Sequence, residues 1–290
     1  MKEHLVSVVI PTYNRKEKLI RAIKSVNDQS YKNIEIIIID DTSDFNVESF
    51  LNNNLVTTEN NIKVFRNTSN LGPSLSRNMG VKKSTGEFIA FLDSDDFFLP
   101  DKIAKQIKAI NDQNADFCYC GWRWIDEKTN NILQNRKVSS NGLINGKSRY
   151  YFNIIQDLLV HKKCFDTIEF LDVRTFENYD FNLKLFSKYK PAYVEDVLVN
   201  CYHHFSDRAS DIYVGNQNIL IDLLDDHQSF LKKDKKFIAE IRLKIAILLY
   251  KDGKINKSMI YFSKNIFTSQ SLRSIYHLVK LSVLPSQNTE

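Results

Sequence analysis

Three carboxylates, Asp93, Asp95 and Asp96, follow the apolar run Glu-Phe-Ile-Ala-Phe-Leu of residues 87–92. Like charges this close repel, and one or more must stay protonated unless a cation joins them. A hard divalent ion prefers oxygen donors of this kind, and Mg2+ binds through one or two carboxylates together with substrate phosphates. The cluster therefore points to a metal-bound diphosphate. Its plainer reading is an acidic turn that caps the next helix, a position Asp favours.

The chain around the cluster reads as alternating strands and helices. Leu5–Ile10 is an apolar strand broken by Pro11, and Lys16–Val26 has apolar residues at Leu19, Ile20, Ile23 and Val26, a helical spacing. Ile34–Ile39 and Ile62–Phe65 are further apolar runs, Ser74–Lys83 is a helix, and Glu87–Leu92 is the fourth strand. Unbroken apolar strands alternating with helices indicate a parallel sheet covered on both faces. Ligands of such sheets sit beyond the carboxyl ends of the strands. Three polar clusters fall at those ends: Pro11-Thr12-Tyr13-Asn14-Arg15, Asp40-Asp41-Thr42-Ser43-Asp44 and Asp93 to Asp96. They are expected to form one site.

Beyond them, Ile103–Ile110 reads as helix, Phe117–Ile125 as strand and residues 126–148 as a hairpin and loops. Phe176–Tyr189 opens with acids and reads as helix, and Ala192–Phe205 reads as strand. From Tyr213 to Leu284 the pattern is helical, with Ala246–Phe262 a helical hairpin. Trp122 and Trp124 share a strand face, where core packing is the default and a sugar platform the alternative.

With 290 residues the chain can bury a substantial core. Four scattered cysteines without CxxC spacing signal neither a zinc site nor a disulfide framework, which suits a reducing cytosol. The N-terminus shows no h-region of a signal peptide, and no segment reaches 18 uninterrupted apolar residues. The net charge of +5 is uneven, since Ser229–Glu290 holds twelve Lys/Arg against four Asp/Glu. That tail is either a solvated helical face or a contact for an anionic surface, a membrane in preference to nucleic acid.

The stretches Ser-Val-Val-Ile-Pro-Thr-Tyr-Asn-Arg (7–15), Ile-Ile-Ile-Asp-Asp-Thr-Ser-Asp (37–44), Asn-Leu-Gly-Pro-Ser-Leu-Ser-Arg-Asn-Met-Gly (70–80) and Phe-Leu-Asp-Ser-Asp-Asp (91–96) together resemble a family 2 glycosyltransferase of the bacterial surface-polysaccharide type. The resemblance covers roughly residues 5–205. It implies an α/β protein of the GT-A type, with a Rossmann-like mixed, mainly parallel sheet flanked by helices. Residues 1–212 would form the nucleotide-sugar domain and 213–290 a basic C-terminal helical region. The implied activity is inverting transfer of a sugar from a nucleotide diphosphate donor, UDP favoured, to a glycan or lipid-linked acceptor, with Mn2+ or Mg2+. The place of action would be the cytoplasm at the inner face of the membrane, and no nucleic acid is involved.

By motif position, Thr12 and Tyr13 would flank the base and ribose, with Pro11, Arg15 and Ser94 in the same nucleotide site. Asp41 would accept a hydrogen bond from the base, Arg77 or Asn78 would lie near the nucleotide, and Asp93 would meet the ribose. Asp95 would bind the metal, with Asp96 as an alternative ligand. His204, of the pair His203-His204, could reach the metal or pyrophosphate, and Arg208 could clamp phosphate.

The resemblance also implies a catalytic base, and here the chain departs from the pattern. The family commonly has Glu-Asp at the start of the helix that begins near residue 176, whereas this chain reads Phe176-Glu177-Asn178-Tyr179-Asp180. Asn178 takes the place of the base, and an amide accepts no proton at neutral pH. Glu177 is the first replacement, and Asp180 lies one helical turn on and could serve only as an N-terminal helix charge. Alternatively all three residues cap the helix, and the chain is a non-catalytic sugar-nucleotide-binding or scaffold protein. A nucleotidyltransferase would show a Gly-rich basic loop after the first strand, and Pro-Thr-Tyr-Asn-Arg is not one.

Overall fold

The computed structural model describes residues 3–54, 61–139, 154–173, 176–203, 217–232, 234–265, 268 and 275. The chain divides into two compact units, Met1–Asp207 and Arg208–Glu290.

In the first unit, β1 (Val6–Thr12), β2 (Ile34–Asp40) and β4 (Phe88–Phe91) are buried along their whole length. Strands buried on both faces can be Val/Ile-rich without alternation, which is how these runs read. With β3 (Asn61–Arg66) they form the parallel array β3-β2-β1-β4. Helix α1 (Lys16–Asn27) buries Leu19, Ala22, Ile23 and Val26, and α2 (Val47–Asn53) is capped by the Asn46 side chain, which accepts from the Ser49 N–H. Helix α3 (Gly72–Lys83) lies so close to β1 that a Cβ at Gly80 would collide with the Val9 side chain.

The expected break at Pro11 does not occur, because β1 runs on to Thr12. The Val9 carbonyl accepts from Leu92 N–H on the β4 side, and the Thr12 carbonyl accepts from Asp41 N–H on the β2 side. Pro11 shares the orientation of Val9, so its missing N–H points past the end of the β4 ladder, where no partner is lost.

Antiparallel pairings lie beyond β4. There β8 (Leu158–His161) joins β4 to β6 (Phe117–Asp126), and β9 (Pro191–His203) runs parallel to β6. The two-residue β5 (Phe97–Phe98) pairs with β9, and β7 (Ile132–Arg136), inside the 126–148 stretch read as a hairpin and loops, pairs with the preceding β6. Helices α4 (Lys102–Gln113) and α5 (Glu177–Lys188) complete the unit. Trp122 is buried in the core and stands edge-on to Trp124, at 5.4 Å between centroids, which is the packing reading of that pair.

The second unit contains α6 (Gln217–Asp226), α7 (Gln228–Leu231), α8 (Lys235–Lys251) and α9 (Ile255–Ser263). Helices α8 and α9 form the expected hairpin, turned at Gly253 with φ +71°. Ser258 Oγ donates to the Ala246 carbonyl at 2.7 Å, and Phe262 packs on Leu243 and Ala246. Among the described residues no helix is long and apolar enough to cross a membrane. Of the helical pattern expected from Tyr213 to Leu284, the part beyond residue 268 lies outside the described residues, save Ile275.

Candidate functional site

Because β1, β2 and β4 are parallel neighbours, the loops that follow them emerge at one end of the sheet. After β4 the chain turns at once, with Asp96 N–H donating to the Asp93 carbonyl at 3.0 Å. Ser94 and Asp96 are buried, while Asp93 and Asp95 keep side chains that are 31% and 23% exposed. Asp93 and Asp95 are therefore the members of the cluster that a ligand can reach.

Each carboxylate is positioned by a distant segment. Asp93 Oδ1 accepts from Arg77 Nη2 at 2.7 Å, and its Oδ2 accepts from Gln156 Nε2. The same Gln156 nitrogen donates to Asp96 Oδ2 at 2.8 Å, and Asp96 Oδ1 accepts from Tyr202 N–H at 3.0 Å. Burial, then the charges of Asp95 and Asp93, push the Asp96 carboxyl well above the ordinary range. The Asp95 carbonyl accepts from Arg21 Nη2 at 2.7 Å, and Arg21 lies 4.0 Å over the Tyr202 ring. Arg15 Nη2 is 3.9 Å from Asp95 Oδ2.

This donor set fits a hard divalent ion. Two partly exposed carboxylates face outward, the third is too buried to ionise freely, and a cation would relieve their mutual repulsion. Among the described residues no three His, Cys, Asp or Glu side chains converge as a closed metal cage. One or two carboxylates completed by phosphate oxygens is the Mg2+-type arrangement.

The loops after β1 and β2 are tied to each other. Asn14, at φ 53°, donates its N–H to Ser43 Oγ at 3.0 Å, and its amide exchanges hydrogen bonds of 2.9 and 2.8 Å with Asp44. Asp40 accepts from Ser43 N–H and from Arg66. Asp41 accepts from Asn67 Nδ2, Leu71 N–H and Gly72 N–H, all at 2.8 Å, so it ties the β2 loop to the start of α3. Three donors leave its carboxylate about one acceptor position. Pro11 and Thr12 are buried, Thr12 Oγ1 has no hydrogen-bond partner, and Tyr13 is 47% exposed beside them.

Arg77, on α3, is buried between two acids. Its Nη2 meets Asp93, its Nη1 lies 3.6 Å from Glu177 Oε1 on α5, and its guanidinium is 5.6 Å from the Phe170 ring. One side chain thus links the acidic cluster to the first residue of α5. Its neighbour Asn78 has a different part, because its amide donates to and accepts from the Phe170 backbone, at 2.8 and 3.0 Å. That clamp supports Phe170, which stacks on Phe181 at 4.1 Å.

Helix α5 begins under strain, since Phe176 has φ 63°, an outlier for a bulky residue. The Glu177 side chain is 14% exposed, and burial raises its carboxyl pKa against the opposing pull of Arg77. Asn178 Oδ1 is buried without a hydrogen-bond partner. Asp180 is buried and paired with Lys184 at 2.7 Å one turn along the helix, which leaves Glu177 as the carboxylate joined to the cluster. His204 and Arg208 lie outside the described residues, and of His203 only its place in β9 is described.

Gln156 and Arg21 escaped the sequence reading. Gln156 stands just before β8, a four-residue strand with no periodic signal, and its partners are 60 and 63 residues away. Arg21 sits among the polar residues of α1, and only its reach to Asp95 marks it.

A family model described as Glycosyl transferase family 2 matches residues 7–173. An uncharacterized glycosyltransferase of Rickettsia conorii is 31% identical over 296 residues, covering 96% of this chain and 47% of the relative, so the chain spans about half of that relative's length. A GalNAc(5)-diNAcBac-PP-undecaprenol beta-1,3-glucosyltransferase of Campylobacter jejuni is 27% identical over 307 residues, covering 98% of this chain and 95% of the relative. Among solved structures, S. aureus TarS 1-349 in complex with UDP-GlcNAc matches with a TM-score of 0.64 at 16% identity, covering 92% of this chain and 74% of that one. At that identity the likeness is one of fold.

Proposed function

The chain belongs to glycosyl transferase family 2 and has its GT-A fold, and from that premise we propose that it transfers a sugar from a nucleoside diphosphate sugar to a hydroxyl of a lipid-linked glycan. The observation that carries this reading is the Asp93–Arg77–Glu177 chain, which joins the acidic cluster to a buried carboxylate on a second element. UDP is the favoured nucleotide, supported by the motif resemblance and by the fold shared with a UDP-GlcNAc complex. A lipid-linked acceptor is supported by the undecaprenol-linked substrate in the name of the Campylobacter relative. Work of that kind belongs to cell-surface polysaccharide synthesis at the cytoplasmic face of a membrane, with residues 1–212 as the catalytic domain and the basic region 213–290 beside the lipid.

Asp95 would hold Mn2+ or Mg2+, with Asp96 as the buried alternative. Such an ion, when bound, stabilises the charge that develops on the departing diphosphate. Thr12, Tyr13 and Arg15 would flank the nucleotide, and Arg77 fixes the Asp93 carboxylate that would receive its ribose. Glu177 takes the proton of the acceptor hydroxyl as the oxygen bonds to the anomeric carbon. The bond from that carbon to the diphosphate oxygen breaks on the opposite face, so the configuration inverts. The elevated pKa of Glu177 suits it to this role, because a base is most effective when its pKa approaches the working pH. Asn178 moves no proton.

Hydrolysis of UDP- and GDP-sugars with Mn2+, compared among wild type, Glu177→Gln and Asn178→Asp, tests the assignment. Wild type is expected to release nucleotide, and Glu177→Gln to lose about 10²–10⁴-fold, the usual contribution of a positioned base. If wild type is inert with every donor while Asn178→Asp gains activity, the chain is instead a sugar-nucleotide-binding scaffold.

A further inference from the structure

The second unit contains a cleft of about 630 Å3, within the usual range of ligand pockets. Its helices each offer one face at helical spacing: Ile221 with Leu224 and Asp225 on α6, Ile238 with Arg242 on α8, and Tyr261 with Lys264 at the end of α9. Ile221, Leu224 and Ile238 are half-buried and make an apolar wall. The same lining holds three cations, Lys232, Arg242 and Lys264, and one carboxylate, Asp225. The Lys264 ammonium stands 5.2 Å from the Tyr261 ring.

The same α9 helix turns a second apolar surface outward. Ile255, Met259 and Ile260 are 46%, 46% and 52% exposed, and Lys254, Lys257 and Lys264 surround them in the sequence. An apolar helix face bordered by lysines suits the boundary of an anionic bilayer.

We propose that this cleft binds an anionic amphiphile, a phosphate or diphosphate head on an apolar tail, presented from a membrane on which α9 rests. The charge balance of the cleft selects the head and its wall selects the tail. The proposal rests on the reading of a lipid-linked acceptor and deepens it, by giving the lipid phosphate a site of its own in the C-terminal unit.

Calorimetric titration of the full chain with farnesyl diphosphate, farnesol and inorganic diphosphate tests it, with divalent ions removed so that the acidic cluster takes no diphosphate. Farnesyl diphosphate is expected to bind at least about tenfold more tightly than either half of the molecule, and Arg242→Gln or Lys264→Gln to weaken it by about tenfold. Equal binding of inorganic diphosphate would make the cleft a plain anion site, and equal binding of farnesol a plain apolar one; either overturns the proposal. So does an affinity untouched by both variants. Lys264 is exposed, so its substitution carries the test even if Arg242→Gln fails to fold. Donor hydrolysis by wild type needs no lipid, so its absence would sink the transferase reading and leave the cleft result standing.

Discussion

Glu35 and Asp96 are acids buried at opposite ends of the same parallel sheet, and their surroundings treat them in opposite ways. At the amino end, Glu35 of β2 accepts from Ser7 Oγ, Thr85 N–H, Thr85 Oγ1, Lys63 Nζ and Gly86 N–H, at 2.6 to 3.1 Å. Burial opposes its ionisation, yet these donors hold its pKa at about 2. At the carboxyl end, burial and neighbouring charge push the Asp96 carboxyl up, and Thr12 Oγ1, Asn178 Oδ1 and Arg77 Nε are buried without hydrogen bonds. Thr42 and Phe176, with φ 69° and 63°, add backbone strain near the same end. Unmet polar groups and strain cost stability, and they persist where a ligand is to meet them. Glu35 fastens the amino end of the sheet, and the unmet groups at the carboxyl end are those on which the proposed site rests.

The contrast can be broken by substitution. Asp95→Ala should lower turnover by about 10³-fold, through loss of the diphosphate's charge stabilisation, while the melting temperature stays within about 2 °C of wild type. A comparable loss of melting temperature would make Asp95 a structural residue like Glu35. Glu177→Gln should cost about 10²–10⁴-fold, again with the melting temperature little changed. In wild type the rate should rise with pH through an inflection above the ordinary glutamate value, because the ionised form is the base and its pKa is raised. A pH–rate profile flat from pH 4 to 8 (on the order of the range in which a shifted carboxylate titrates) would remove Glu177 from that role.

Glu35→Gln should act in the opposite sense, destabilising the fold by about 2–3 kcal/mol while sparing turnover per folded molecule. The folded-state pKa lies below the unfolded one, so this stability is present above the ordinary glutamate value of 4.5 and is lost as pH falls toward about 2. Urea unfolding at pH 7 and pH 3 measures it, and the gap between wild type and variant should narrow at the lower pH. The smallest effect is expected from Thr42→Asn, which tolerates positive φ better and should stabilise by about 0.5–1 kcal/mol. A destabilised variant would mean that Thr42 is not strained.

Much of this contrast was legible in the sequence. Strands β1, β2 and β4 are mostly apolar, so the polar loops after them could be placed from residue type, although β1 runs past the break expected at Pro11. Asn178 was visible as an amide where a carboxylate was expected. What joins the site together was not. Arg77 reaches Glu177 across a hundred residues, and Gln156 bridges Asp93 and Asp96 from just before β8, a strand too short to show a period. Asp41 reads as a ligand contact in the motif, yet its carboxylate also ties two loops, a part that only the fold of α3 against β2 creates. The fastening at Glu35 likewise depends on Ser7, Lys63 and Thr85 from separate elements.

The most direct measurement is the thermal shift of wild type and Asp95→Asn with UDP or GDP, each with and without Mn2+. A ligand that binds only the folded state raises its stability with concentration and affinity. One nucleoside diphosphate should raise the melting temperature of wild type when Mn2+ is present and fail to do so for Asp95→Asn. An equal shift in both proteins, or none with either nucleotide in wild type, would contradict a nucleotide and metal site at the carboxyl end of this sheet.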